Sequence, residues 1–176
     1  INPKDFVVVL GRSGSGKSTL LRLLSGRIKA DVGTVIAGGV EVVESRLYWL
    51  AGCVGYKPQD PSFTTATVDE ILREHGPRTK PDQRLEMLRR VGLDRAIDAG
   101  EMSLSTKVQT VSPRISGGQK QMLGLACALL QSDDVLILDE PTTGLDSDAT
   151  ASVLSLLRSL KGQRTIVVAT HSQDIV

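Results

Sequence analysis

Aromatic residues are scarce in this chain: one Trp, two Tyr and two Phe among 176 residues, or 3%. The core must therefore be built from aliphatic side chains. Cysteine is scarcer still. Cys53 and Cys127 lie far apart and make no C-x-x-C pair, which excludes a metal ribbon and a disulfide framework. They read as small buried apolar residues in a reducing compartment. Long apolar runs are missing too: those at 6–10 and 135–138, like every other, are far too short to cross a bilayer, and no secretory signal stands at the start. Neither sign of charge dominates. With 21 Lys and Arg against 20 Asp and Glu, a net charge of +1 gives no electrostatic case for nucleic acid or an anionic membrane as a bulk partner. What is present is a 40% apolar, 23% charged chain with the length of one domain, or one domain with a subdomain. It begins just before its first strand and so reads as part of something longer.

The pattern along the chain is mixed. Residues 6–10 are a continuous β-branched run, the mark of a strand buried on both faces, followed by a Gly-rich loop and a helix over 18–25 that Gly26 can end. Residues 34–43 read as a hairpin around Gly38-Gly39, and a short strand is expected near 54–56. From about 67 to 130 the texture turns helical. Val68, Ile71 and Leu72 mark one helix, Leu85, Leu88 and Val91 a second, and 119–130 a third, with a loop over 76–81 and an irregular stretch over 100–115. Strand texture returns at 135–138 and 165–169. Between them a helix over 148–160 is apolar at Val153, Leu156, Leu157 and Leu160 and is capped by Ser147. The expected architecture is an α/β parallel-sheet core with a β-hairpin region, interrupted by an all-helical insert.

Gly11-Arg12-Ser13-Gly14-Ser15-Gly16-Lys17-Ser18-Thr19 fits G-x-x-x-x-G-K-[ST] in full, between a strand and a helix as phosphate binding requires. Glycines let backbone N–H groups close around phosphates, Lys17 can reach the β- and γ-phosphates, and Ser18 can ligate Mg²⁺. Asp139, ending an apolar strand, is the matching carboxylate on the magnesium side. Glu140 is either a surface glutamate or the group that deprotonates an attacking water. Its neighbour Asp139 favours the second reading, because two adjacent carboxylates at a buried strand end are costly without a cation.

Ser116-Gly117-Gly118-Gln119 is a capping box, serine as cap and glutamine reaching back. A cap alone does not need two glycines, each costing about 1 kcal/mol in a helix against alanine. Glycines at a helix start let an anion approach the backbone, so a second phosphate site is the competing reading.

The combination resembles the nucleotide-binding domain of ATP-binding cassette (ABC) transporters, a P-loop NTPase with a RecA-like core. The matching pieces run in family order: 11–19 (Walker A), Gln59 (Q-loop), 115–119 (signature), 135–140 (Walker B and its glutamate), Asp146 (D-loop) and His171 (switch histidine). The resemblance implies a core over 1–66 and 131–176 with a helical signature subdomain over 67–130. It implies ATP and Mg²⁺ as ligands and hydrolysis with Glu140, His171, Lys17 and Gln59 as catalytic residues. Phosphate would be held by Gly11, Ser13, Gly14, Ser15, Gly16, Lys17, Ser18 and Thr19, and Mg²⁺ by Ser18, Gln59 and Asp139. Ser116, Gly117, Gly118, Gln119 and Asp146 would complete the ATP site of a second, head-to-tail copy. A transmembrane partner would place the chain on the cytoplasmic face of a membrane, and no direct nucleic-acid contact is expected. Without that context His171 and Gln59 are an ordinary histidine after a strand and an ordinary loop glutamine, and His75 a solvated helix-end residue.

The chain departs from the family pattern in places. Ile115 replaces the commoner leucine, Met122 and Cys127 stand where arginines are common, and Ser172 stands where aspartate is frequent. The adenine-stacking aromatic is not in the chain, so preference for ATP rests on the resemblance. Two other readings compete: a soluble family member working on ribosomes or DNA, and a regulatory module without turnover. The near-neutral charge argues against the first. Intact Lys17, Asp139, Glu140 and His171 argue against the second.

Overall fold

Two central strands, covered on both faces, organise this protein around a parallel sheet. The computed structural model describes residues 1–108, 115–172 and 175. The sheet contains β1 (Phe6–Leu10), β4 (Gly55–Lys57), β7 (Val135–Asp139) and β8 (Thr165–Thr170), in spatial order β1-β8-β7-β4. All three pairings are parallel, with Phe6 opposite Ile166, Leu136 opposite Ile166 and Gly55 opposite Leu136. Side chains along a strand alternate between faces. Leu136, Leu138, Ile166 and Val168 enter one apolar cluster, and Ile137, Val167 and Ala169 enter another on the opposite face. Helix α1 (Lys17–Leu24) covers the second cluster through Leu21. Helices α6 (Gly117–Gln131) and α7 (Ser147–Leu160) cover the first.

The expectation that residues 6–10 are buried on both faces is corrected. Among the described residues β1 is an edge strand beside β8, its residues only half-buried and Leu10 50% exposed. The glycine hairpin forms, but as β2 (Ile36–Ala37) and β3 (Val40–Glu41), two residues each. Helix α2 (Leu47–Cys53) follows and was not legible in the sequence. It buries Leu50 alone and leaves Tyr48 and Trp49 exposed, so it carries no apolar stripe to read. Cys53, at its end, is exposed rather than buried, while Cys127 is buried as expected.

The segment from 67 to 130 begins with α3 (Val68–His75), whose start is a full capping box. Thr67 Oγ1 accepts from the Glu70 amide, and Glu70 accepts from the Thr67 amide at 2.7 Å. Helix α4 (Pro81–Leu88) opens on a proline at its first position, where the missing N–H costs nothing. A widened turn over Arg89–Leu93, with Gly92 at φ +94°, bends the chain into the short helix α5 (Asp94–Asp98), which the sequence also did not announce. Within the expected irregular stretch of 100–115, residues 100–106 are irregular as expected, β6 (Lys107–Val108) pairs antiparallel with β5 (Ala66–Thr67), and 109–114 lie outside the described residues. The cap of α7 is Asp146, not Ser147. The Asp146 carboxylate accepts from the Ala149 amide at 2.8 Å, and Ser147 is already helical. His75 is half-buried rather than solvated, with burial pushing its imidazole below its ordinary pKa against a hydrogen bond with Gln131. No helix among the described residues is long and apolar enough to cross a membrane.

Candidate nucleotide site

Two glycines shape the loop between β1 and α1. Gly14 and Gly16 lie at φ +78° and +89°, a backbone region open to glycine and strained for other residues, and a Cβ at either would meet only open space. The loop therefore bounds a hollow of about 540 Å³ instead of packing on the fold. Residues 12–19 line it together with Gln59, Asp139, Glu140, Thr143 and His171.

The sheet register delivers the opposite wall. Asp139 pairs with Ala169, so Glu140 emerges beside Thr170 and His171. The Glu140 amide donates to the Ala169 carbonyl at 2.8 Å and holds Glu140 at φ +46°, outside the strand conformation. This turns its carboxylate toward the loop. One oxygen accepts from Thr170 Oγ1 at 3.2 Å and stands 2.9 Å from His171 Nδ1; the other is 3.6 Å from Lys17 Nζ. Burial pushes the Glu140 pKa up, but the hydrogen bonds and charge from His171 and the bond from Thr170 outweigh it. The carboxyl is held below its usual range and is ionised at neutral pH.

Lys17 is 9% exposed, and its ammonium donates to the Gly11 carbonyl at 2.7 Å and the Arg12 carbonyl at 3.2 Å. Asp139 is 2% exposed, and its Oδ1 is buried without a hydrogen-bond partner among the described residues. A buried, unpartnered carboxylate oxygen is costly. At the wall of a hollow that Ser18 also lines, such an oxygen fits a divalent cation.

Ser116 caps α6 in a reciprocal box, its Oγ accepting from the Gln119 amide at 3.1 Å while Gln119 Oε1 accepts from the Ser116 amide at 2.9 Å. The capping reading thus holds. Ser116 and Gly117 are exposed, and a Cβ on Gly117 would meet nothing. Ser116, Gly118, Gln119 and Asp146 line a different hollow, about 550 Å³, with no residue in common with the first. The structure thus brings together the loop, Gln59, Asp139, Glu140 and His171, and leaves Ser116–Gln119 and Asp146 apart from them.

Sequence reasoning missed three participants: Thr143, Thr170 and Lys57. Thr143 lines the hollow and Thr170 bonds Glu140; neither residue type announces such a role. Lys57 had a signal, a cation directly after the strand expected near 54–56. It is fully buried, and desolvation brings its pKa down to about 8 against the raising effect of Asp139, Asp60 and Glu140.

The comparisons with known proteins agree with this geometry. The chain is 37% identical over 96% of its length to the methionine import ATP-binding protein MetN 2 of Rhodococcus jostii, and spans 50% of that protein. It is 31% identical over 97% of its length to the glutathione/L-cysteine transport system ATP-binding/permease protein CydC of Escherichia coli, and spans 30% of it. It covers about two thirds or less of the length of these and two archaeal relatives. Its fold matches a bacterial Atm1-family ABC exporter with ATP bound at a TM-score of 0.85, with 24% identity, covering 98% of this chain and 30% of that one. Residues 1–143 match the ABC transporter family model, and the chain belongs to that family as a nucleotide-binding domain.

Proposed function

We propose that this chain is the ATP-hydrolysing motor of an ABC transporter. The observation that carries the reading is the Glu140 carboxylate, ionised and held between Lys17 and His171 on the wall of the phosphate-loop hollow. With ATP in place, Lys17 would exchange the Gly11 and Arg12 carbonyls for phosphate oxygens, and the amides of residues 13–19 would close on the rest. Glu140 would accept the proton of a water as its oxygen bonds to the γ-phosphorus, and the bond from that phosphorus to the bridging oxygen breaks to leave ADP. His171, within hydrogen-bond reach of Glu140, would orient that water and hold the γ-phosphate. Ser18, Asp139 and Gln59 would hold Mg²⁺, which when bound neutralises phosphate charge.

Ser116–Gln119 and Asp146 have their own exposed hollow, which suits the ATP of a second copy packed head to tail. The segment 67–130 would be the subdomain that turns as that interface closes. A membrane-spanning partner, on the same polypeptide or another, would place the chain on the cytoplasmic face of a membrane; its relative CydC is named as a combined ATP-binding and permease protein. Glu140→Gln tests the motor. It should retain ATP binding and lose on the order of 100-fold or more in turnover in a steady-state phosphate-release assay. Wild-type turnover in that variant would refute the assignment.

A further inference from the structure

Lys57 closes β4 and is one of the largest fully buried side chains in the protein. A strand that pairs along β7 needs an apolar residue at that point, and a buried ammonium is expensive to desolvate. The chain buries one one step before the loop that carries Gln59, with Leu138 as its register partner and Asp139 next along β7. The Lys57 stem passes Gly124 of α6, where a Cβ would stand 3.9 Å from Lys57 Cγ. Its ammonium donates to the Pro58 carbonyl at 3.2 Å. The carboxylates acting on it are Asp139, Asp60 and Glu140. It does not line the phosphate hollow, so it does not touch a ligand there.

We infer that Lys57 is a positioning residue of the hydrolysis site, its buried ammonium holding the loop at 58–60, and with it Gln59, against the strand end that carries Asp139 and Glu140. The opposite side of the loop is held by α6. Lys120 Nζ bridges Asp60 at 3.0 Å, Gln121 Nε2 donates to the Gln59 carbonyl at 2.9 Å, and Pro61 lies where a Cβ on Gly124 would be only 2.5 Å away. Lys57 supplies the hold from within the sheet. The Gln59 backbone is thus fixed from both sides, while its side chain is exposed at the hollow.

The test is Lys57→Met in the full-length protein, beside Lys57→Arg. Methionine is close in volume and suits a buried strand, so its melting temperature should equal or exceed that of the wild type. Turnover should fall about tenfold or more, with KM for ATP unchanged within about twofold. The Mg²⁺ concentration for half-maximal turnover should rise, because the loop that carries Gln59, one of the proposed Mg²⁺ holders, is no longer fixed. Lys57→Arg should recover much of the turnover. If Lys57→Met does not fold, Lys57→Gln is read in the same way. The inference is overturned if the folded neutral variant keeps wild-type turnover and Mg²⁺ dependence, or if arginine and methionine lose activity equally with lowered melting temperatures. It rests on the proposed hydrolysis site, and Glu140→Gln separates the two. Wild-type turnover in Glu140→Gln would sink both, whereas an inactive Glu140→Gln beside a normal Lys57→Met would sink the Lys57 role alone.

Discussion

Two cysteines of one type meet opposite fates in this chain. Cys127 lies inside α6, where burial pushes its thiol up to about 12, while Cys53 is exposed at the end of α2. At pH 8 the native protein should be alkylated by iodoacetamide at Cys53 and protected at Cys127, read by peptide mass spectrometry. The sign follows from burial: the thiolate is the nucleophile, and the folded state disfavours it at Cys127. Equal labelling of both in the native protein would show that α6 is not packed as described. Gly55 makes a second residue-scale case. A Cβ there would fall 2.1 Å from the Ala128 carbonyl oxygen, and backbone on backbone cannot step aside. Gly55→Ala should destabilise by about 1–3 kcal/mol in urea unfolding, and by pushing β4 off α6 should also slow turnover.

At the scale of elements, the helix starts are where local chemistry is most explicit. Thr67 and Glu70 satisfy each other's backbone donors at the head of α3, so Thr67→Ala should cost about 1 kcal/mol in unfolding free energy without touching ATP binding. Ser116 and Gln119 build the same box at the head of α6, but there Gly117 between them lies open to solvent. The two boxes look alike in sequence; the exposed glycine is what separates a helix start with spare anion-binding capacity from one without. The strands teach a different lesson. The β-branched runs at 6–10 and 165–169 are nearly alike in composition, yet β8 is buried throughout and β1 is half-open. Strand composition reports a preference for sheet, whereas burial depends on what packs on and beside the strand: β4 is an edge strand too, yet α6 covers it and it is buried throughout. Helices α2 and α5 escaped the sequence for a related reason. Each buries a single residue, and periodicity needs a repeated contact to show.

For the whole molecule, the expectation is a half-built second site. The phosphate hollow and the Ser116 hollow share no residues, so the proposed dimer is the arrangement in which both are used. Glu140→Gln with ATP and Mg²⁺ should run as a dimer in light scattering, with ATP-free protein as the monomer control and Ser116→Arg abolishing the shift. A dimer that survives Ser116→Arg would place the contact elsewhere. The sequence by itself determined the phosphate loop and the α/β alternation and pointed to Asp139 and Glu140, because each is local chemistry written in contiguous residues, whereas His171 stood out through the family resemblance alone. Only the tertiary structure decided what those residues do to one another. The register of β7 on β8 sets Glu140 beside Thr170 and His171, and the turn at φ +46° aims it at Lys17. Packing of β4 beneath α6 turned Lys57 from one charge among many into a buried cation behind the site. Contacts between residues 30 or more apart in sequence carry no local signature; they exist once the sheet order has been fixed by burying the aliphatic faces together.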